Sequence, residues 1–316
     1  MTGTDHNALE WKPMPLPPDV SQLGFLVGTS GYHYDDWIGR FNPPKLAPGQ
    51  SSLFADLEPA DQDRLVFYQK YFPFVEINNT FYHEPSSRYF ESLERRSRPS
   101  TRYAVKVYRE ISHTKEWSVD RSRELMRRHV DAVTPISRSG RLYSFLVQLE
   151  DHLTLNQKRL GYLLETASVA TDAGLGVHIE FRHRSWHCTE ALQTLKDSGV
   201  GICNTEIPPV PHAFPLKAYA TSGKGYLRYS GRNLQNWYPE GRQETEADRI
   251  SARNARYDYI YSPQEVEERV LGQIALAQKT EAVAVAYNNH YSAQAVMNAI
   301  QNMEILYRRL GAKDSP

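Results

Sequence analysis

Gly176-Val177-His178-Ile179-Glu180-Phe181-Arg182 sets an apolar side chain at every second position and a titratable one between. Side chains alternate across a strand, so this stretch has one apolar and one polar face. Short β-branched or aromatic runs of similar kind recur at residues 25–30, 74–81, 102–108, 142–149, 199–204, 225–230 and 282–288. Between them, apolar residues at helical spacing predict helices near 63–72, 86–96, 119–133, 155–171, 189–196, 263–278 and 293–310. The sixth connection carries no clear helical pattern. Eight strands alternating with helices over about 250 or more residues fit a closed barrel better than an open doubly wound sheet. The expectation is one α/β domain, a TIM-type (β/α)8 barrel over residues 23–312, behind a proline-rich N-terminal tail at 1–22.

In such a barrel one face of each strand meets helices and must be apolar, so charged alternate residues look inward or out of the mouth. Val75 and Ile77 mark the helix side of the second strand, which turns Glu76, Asn78 and Thr80 inward. Tyr103, Val105 and Val107 do the same for Lys106, and Phe145, Val147 and Leu149 for Gln148. Val177, Ile179 and Phe181 leave His178, Glu180 and Arg182 inside; Leu227 and Tyr229 leave Arg228 near Ser230; Val283 and Val285 leave Ala284, Ala286 and Asn288. The inferred ring sets Glu76 and Glu180 against Lys106, Arg182 and Arg228, one positive charge in excess. Burying an unpaired charge costs several kcal/mol, so each acid should pair with a base and the remaining cation should face water or an anionic ligand. Arginine matches phosphate or carboxylate through two parallel hydrogen bonds. A closed salt-bridge network that merely fills the barrel is the alternative.

His183 follows Arg182 at a strand end, where an imidazole can act as acid, base or ligand or simply as a hydrogen-bonding loop residue. Glu76, Glu180 and His183 are the candidate catalytic groups. Asn78, Lys106, Gln148, Arg182, Arg228, Arg232, Tyr259 and Asn288 are the candidate substrate-binding ones. His113, His178 and His290 rank below them. No metal is assigned, because lysine and arginine compete for the acids that a metal would need. No cofactor is indicated. Cys203 sits in an apolar strand and reads as a buried thiol.

Thirty-seven Lys plus Arg balance thirty-seven Asp plus Glu, so bulk charge does not favour nucleic acid as a partner. With only Cys188 and Cys203, a disulfide framework is excluded and a reducing, cytoplasmic setting is expected. The first residues carry Asp5, Glu10, Asp19 and four prolines but no apolar signal core, and no apolar run approaches the roughly 18–20 residues of a membrane helix. Three connections after strands are long: 31–62, 206–224 and 231–262. The last holds Arg232, Arg242, Arg249, Arg253 and Arg256 beside Glu240, Glu244, Glu246 and Asp248, with Trp237 and Tyr238. It reads either as a self-compensating loop or salt-bridged helix, or as a lid over the site.

Several of these motifs together resemble the domain of unknown function 72 (YecE-like) family over roughly residues 23–310. They are Gly28-Thr29-Ser30-Gly31-Tyr32 with Trp37, Phe74-Val75-Glu76-Ile77-Asn78-Asn79-Thr80-Phe81-Tyr82, Ala104-Val105-Lys106 and Glu180-Phe181-Arg182-His183 with Ser185-Trp186. Tyr226-Leu227-Arg228, Arg256-Tyr257-Asp258-Tyr259 and Tyr287-Asn288-Asn289-His290 complete the set. The resemblance implies a TIM-type barrel with its site at the strand ends, but no reaction. It also implies a layout similar to endonuclease-IV-like and xylose-isomerase-like barrels, although the dense His and acid set of trinuclear zinc nucleases is missing. Two positions depart from the family pattern. Tyr229-Ser230 stands where a histidine commonly precedes Gly231-Arg232, and Glu150 where proline commonly follows Gln148-Leu149. The segment 43–60 and the proline-rich start look particular to this chain. An enzyme using acid/base chemistry on a small phosphorylated or carboxylated substrate is the first functional expectation. A nucleic-acid-associated barrel and a non-catalytic anion-binding protein are the alternatives.

Overall fold

The computed structural model describes residues 11–44, 59–238 and 245–311. Residues 1–10 of the expected tail, most of the segment 43–60, and Glu240, Arg242 and Glu244 lie outside the described residues, as does the side chain of Arg253. Eight parallel strands close in chain order: β1 (Phe25–Ser30), β2 (Phe74–Ile77), β3 (Arg102–Lys106), β4 (Leu142–Gln148), β5 (Val177–Glu180), β6 (Gly201–Glu206), β7 (Lys224–Tyr229) and β8 (Ala282–Tyr287). β8 pairs back onto β1, Val27 opposite Val285, so the sheet has no free edge. Helices Ser87–Arg96, Val119–Ala132, Gln157–Thr171, Thr189–Asp197 and Pro263–Ala277 lie in the connections, Gln294–Leu310 follows β8, and the connection between β6 and β7 has no helix.

The two strand faces separate into two apolar layers. Val75, Ile77, Val105, Val107, Ile179, Phe181 and Val285 pack outward in one large core with Phe90, Leu163, Val270 and Val296 of the helices. Inside the barrel lies a second cluster of Phe74, Ala104, Tyr143, Leu146, Cys203, Tyr226, Ala284 and Ala286. Each of the inward files of β2, β3, β4, β7 and β8 opens with these residues and ends in Glu76, Lys106, Gln148, Arg228 or Asn288. The floor is therefore largely apolar, and the charged groups of these files gather at the carboxyl ends. Residues 11–20 run without regular structure against this body, with Trp11 and Val20 buried and the Tyr71 hydroxyl donating to the Met14 carbonyl at 2.9 Å.

Two strands differ from the sequence pattern for local reasons. The run 74–81 stops being a strand at Ile77, and Asn79–Phe81 forms a 3-10 turn. Asn78 donates from Nδ2 to Ser30 Oγ at 2.7 Å, and Thr80 Oγ1 donates to the Lys106 carbonyl at 2.6 Å, so side chains replace the ladder there. The sixth strand begins at Gly201 instead of 199, because Gly199 takes φ +65° to end the preceding helix, and it runs on to Glu206, which pairs with Tyr229 of β7.

His178 faces inward as expected but lies in the floor. Ser144 Oγ is 2.6 Å from its Nδ1 and the Lys224 carbonyl 2.9 Å from its Nε2. Burial holds its pKa down at about 4. Its ring occupies the space beside Gly201, where a Cβ would stand 2.3 Å from His178 Cδ2 and 2.8 Å from Ser222 Oγ. Gly201→Ala is expected to cost roughly 1–3 kcal/mol by overpacking. Urea unfolding checks this, and His178→Ala in the same chain should recover part of the loss if crowding is the cause.

Candidate functional site

Arg228, at the carboxyl end of β7, is the centre of a buried polar network. Its Nε donates to both carboxylate oxygens of Glu76, at 3.1 and 2.9 Å, its Nη1 to Glu180 at 3.2 Å and its Nη2 to Ser30 Oγ at 3.2 Å. Tyr226, two residues earlier on the same face, donates to Glu76 at 2.5 Å, and Ser30 Oγ adds a further short hydrogen bond. Ser30 sits opposite Glu76 in the β1–β2 register, which is why it reaches the acid. Arg182 donates from Nε to Glu180 at 2.9 Å and Gln148 from Nε2 to the same oxygen at 3.0 Å. Burial alone would raise both acids. The guanidinium of Arg228, aided by Arg182 at Glu180, outweighs it and holds Glu76 below the usual carboxylate range and Glu180 at about 2. Burial likewise opposes the charge on Arg228, but Glu76 and Glu180 hold its pKa well above the ordinary value.

Lys106 is the cation left over. It forms no ion pair among the described residues; its Nζ donates to Gln148 Oε1 at 2.7 Å and lies 4.0 Å from the centroid of the Phe81 ring. Burial first, and then Arg228, lowers its pKa to about 7. The single excess positive charge of the ring therefore resides on a lysine that titrates near neutrality.

Lys106 and Arg228 form part of the wall of a cleft of about 480 Å³ at the strand ends, with Asn78, Asn288, Tyr257 and His290 around it. Asn288 donates to Ser230 Oγ at 3.2 Å, and Asn78 Oδ1 is buried without a hydrogen-bond partner among the described residues. A smaller pocket of about 250 Å³ adjoins it, sharing Tyr34, Asn78 and Asn79. Residues 231–262, open to two readings from sequence, include a helix, Glu246–Arg256, with a Thr245/Asp248 capping box. Its Arg249 and Arg256 line the cleft. Arg249 pairs with Glu246 at 3.3 Å, so the helix that lines the cleft is also compensated internally. Arg256 forms no ion pair among the described residues; its guanidinium lies 5.4 Å from the Trp237 ring, over which Arg182 also lies at 5.9 Å.

Three residues expected at the site lie elsewhere. Arg232, 40% exposed, pairs with Glu265 at 3.2 Å and Glu206 at 3.6 Å. Tyr259 donates to Glu265 at 2.6 Å, in the same group as the buried Arg269–Glu206 pair. This second network joins the end of β6 to helix Pro263–Ala277 and does not line the cleft. His183 uses Nδ1 to cap the 3-10 turn Arg184–Trp186 at the Ser185 amide and stacks on His212, with ring centroids 5.6 Å apart. Burial, then His212, lowers its pKa. Conversely, Tyr226, Ser30 and Glu206 are not among the candidate catalytic or binding residues read from the sequence, although the first two lie within its quoted motifs. Tyr226 was legible through its i−2 spacing to Arg228, whereas Ser30 and Glu206 needed the strand register. Among the described residues no helix is long and apolar enough to cross a membrane.

Known proteins share this architecture. The chain is similar to the UPF0759 protein YunF of Bacillus subtilis (strain 168), 26% identical over 289 residues that span 89% of this chain and 94% of YunF. A crystal structure of a DUF72 family protein from Thermotoga maritima MSB8 superposes with TM-score 0.71 at 26% identity, covering 89% of this chain and 98% of that one. One from Enterococcus faecalis V583 gives TM-score 0.67 at 24% identity over 77% and 87% of the two chains, a likeness of fold. The model of the family described as "Protein of unknown function DUF72" matches residues 26–316. With that match over nearly the whole barrel, and the barrel itself shared with solved members, the chain belongs to the DUF72 family.

Proposed function

We propose that this barrel is an enzyme for a small phosphorylated or carboxylated molecule, bound in the strand-end cleft and worked on by acid/base chemistry with Lys106 as the titrating group. One observation carries the reading: Lys106 and Arg256 line the same cleft, and neither has a carboxylate partner among the described residues. Two such cations in one cavity of about 480 Å³ favour an anion, and the space suits a metabolite-sized ligand. Glu76 and Glu180 serve in this reading as the anchors of Arg228, since every oxygen of both already accepts a hydrogen bond. Lys106, with a pKa of about 7, can give or take a proton at neutral pH.

Thermal unfolding tests the binding. Millimolar phosphate or succinate is expected to raise the midpoint by preferential binding to the folded state. Arg256→Met should keep the fold and shrink that increment, the lost contact being worth about 1.5–3 kcal/mol. Equal midpoints with and without either anion would refute the reading. A second reading, nucleic acid at the cleft mouth, is favoured by Tyr82, 56% exposed, which lines the cleft together with Arg249. It requires affinity that falls steeply between low and physiological salt.

A further inference from the structure

A lysine amine is a nucleophile only when it has lost its proton, and burial away from carboxylates is how proteins bring that about. Lys106 has that setting. Among the described residues, the charged or titratable groups acting on it include Arg228, Arg182, Glu76 and Glu180, and His113 from the connection after β3, while Arg249, Arg256, Tyr257 and His290 line the same cleft. Arg228 and Arg182 oppose its charge, while both carboxylates are already engaged by Arg228. Lys106 nevertheless lines the large cleft together with Asn78, whose Oδ1 lacks a partner, and Arg256, which lacks a counter-ion among the described residues. A lysine kept only to fill the barrel would need neither the cleft nor these two open valences.

We propose, building on the anion-binding reading, that Lys106 forms an imine with an aldehyde or 2-oxo acid that carries a phosphate or carboxylate. The Nζ lone pair attacks the carbonyl carbon, and the C=O π pair moves to oxygen. Transfer of one proton from nitrogen to that oxygen through water leaves a neutral carbinolamine. A second proton, taken from solvent at the open mouth of the cleft, lets the hydroxyl depart as water while the nitrogen lone pair forms the C=N bond. Amine, carbonyl compound and one proton thus become a protonated imine and water, with no oxidant or reductant. The surroundings of Nζ fit each species. Gln148 Oε1, 2.7 Å away, accepts the iminium N–H, and the Phe81 ring face lies beneath the cation. Asn78 Oδ1 is an open acceptor for the carbinolamine hydroxyl, and Arg256 is placed for the anionic end.

The full-length protein would be incubated with glyoxylate, pyruvate or glycolaldehyde phosphate and sodium cyanoborohydride, then measured by intact mass and peptide mapping. The expected result is one adduct per chain on the Lys106 peptide, forming faster as pH rises through about 7. Neutral propanal should label Lys106 more slowly, and Arg256→Met should reduce the rate for the anionic probes by about tenfold while leaving propanal unaffected. Lys106→Met should abolish the site-specific adduct. Labelling spread over surface lysines, with Lys106 no faster than the rest, overturns the imine. Should phosphate still raise the unfolding midpoint in that case, the anion-binding reading survives and only the covalent step falls. Labelling of Lys106 at equal rates by propanal and the anionic probes overturns the assigned substrate class.

Discussion

Arg228→Met is expected to lower the unfolding free energy by about 3–5 kcal/mol, the range for breaking a buried ion pair by removing one partner. Its guanidinium donates to Glu76, Glu180 and Ser30, and all four residues are essentially excluded from solvent. Without it, Glu180 retains Arg182 and Gln148, but Glu76 keeps only Tyr226 and Ser30. The cost should therefore fall mainly on Glu76, which must be buried as an unpaired anion or take up a proton. Two results follow in urea titrations. The variant should become less stable as pH rises through the raised pKa of its unpaired acid, and Glu76→Gln should destabilise the parent yet recover much of the loss in the Arg228→Met chain. A cost below 1 kcal/mol would mean that the network contributes little to the fold.

Between pH 6 and pH 9 the parent protein should gain about 3 kcal/mol of stability relative to Lys106→Met, whatever their difference at pH 6. The sign follows from linkage. The folded lysine titrates at about 7 and the unfolded one near the ordinary lysine value of 10.5, so in that window the unfolded chain binds more protons. Stability then rises with pH: the penalty of a buried ammonium is fully present below pH 7 and is relieved as the folded group gives up its proton. Groups common to both chains cancel in the difference, and the donor lost to Gln148 Oε1 is a constant offset. Denaturant titrations at several pH values measure it directly. A flat difference would show that Lys106 stays protonated, which would also remove the free amine that imine formation needs.

The Val177-His178-Ile179-Glu180-Phe181 alternation illustrates what could be read without coordinates. Strand periodicity is a local property, so inward and outward faces follow from residue type alone, and Glu76, Lys106, Gln148, Glu180, Arg182 and Arg228 could be named as one ring. Strand ends were harder to read. Asn78 leaves the sheet because its amide finds Ser30 across a strand pair, and Glu206 joins β6 because it pairs with Tyr229 of β7.

The sequence by itself determined the barrel, the polarity of its interior and the net charge of its inner ring, because each depends on spacing along one chain segment. It could not apportion that charge. Which acid pairs with which base depends on distances between strands remote in sequence: Arg228 lies 152 residues from Glu76 and 48 from Glu180, yet bonds both. Only the tertiary structure decided that the excess cation is Lys106, held against Gln148 and Phe81. It likewise moved Arg232 and Tyr259 into a separate network and brought Arg256 over the cleft. The physical reason is that pairing in a dry interior goes to whichever side chains reach first in three dimensions, and a pattern of faces carries no information about reach.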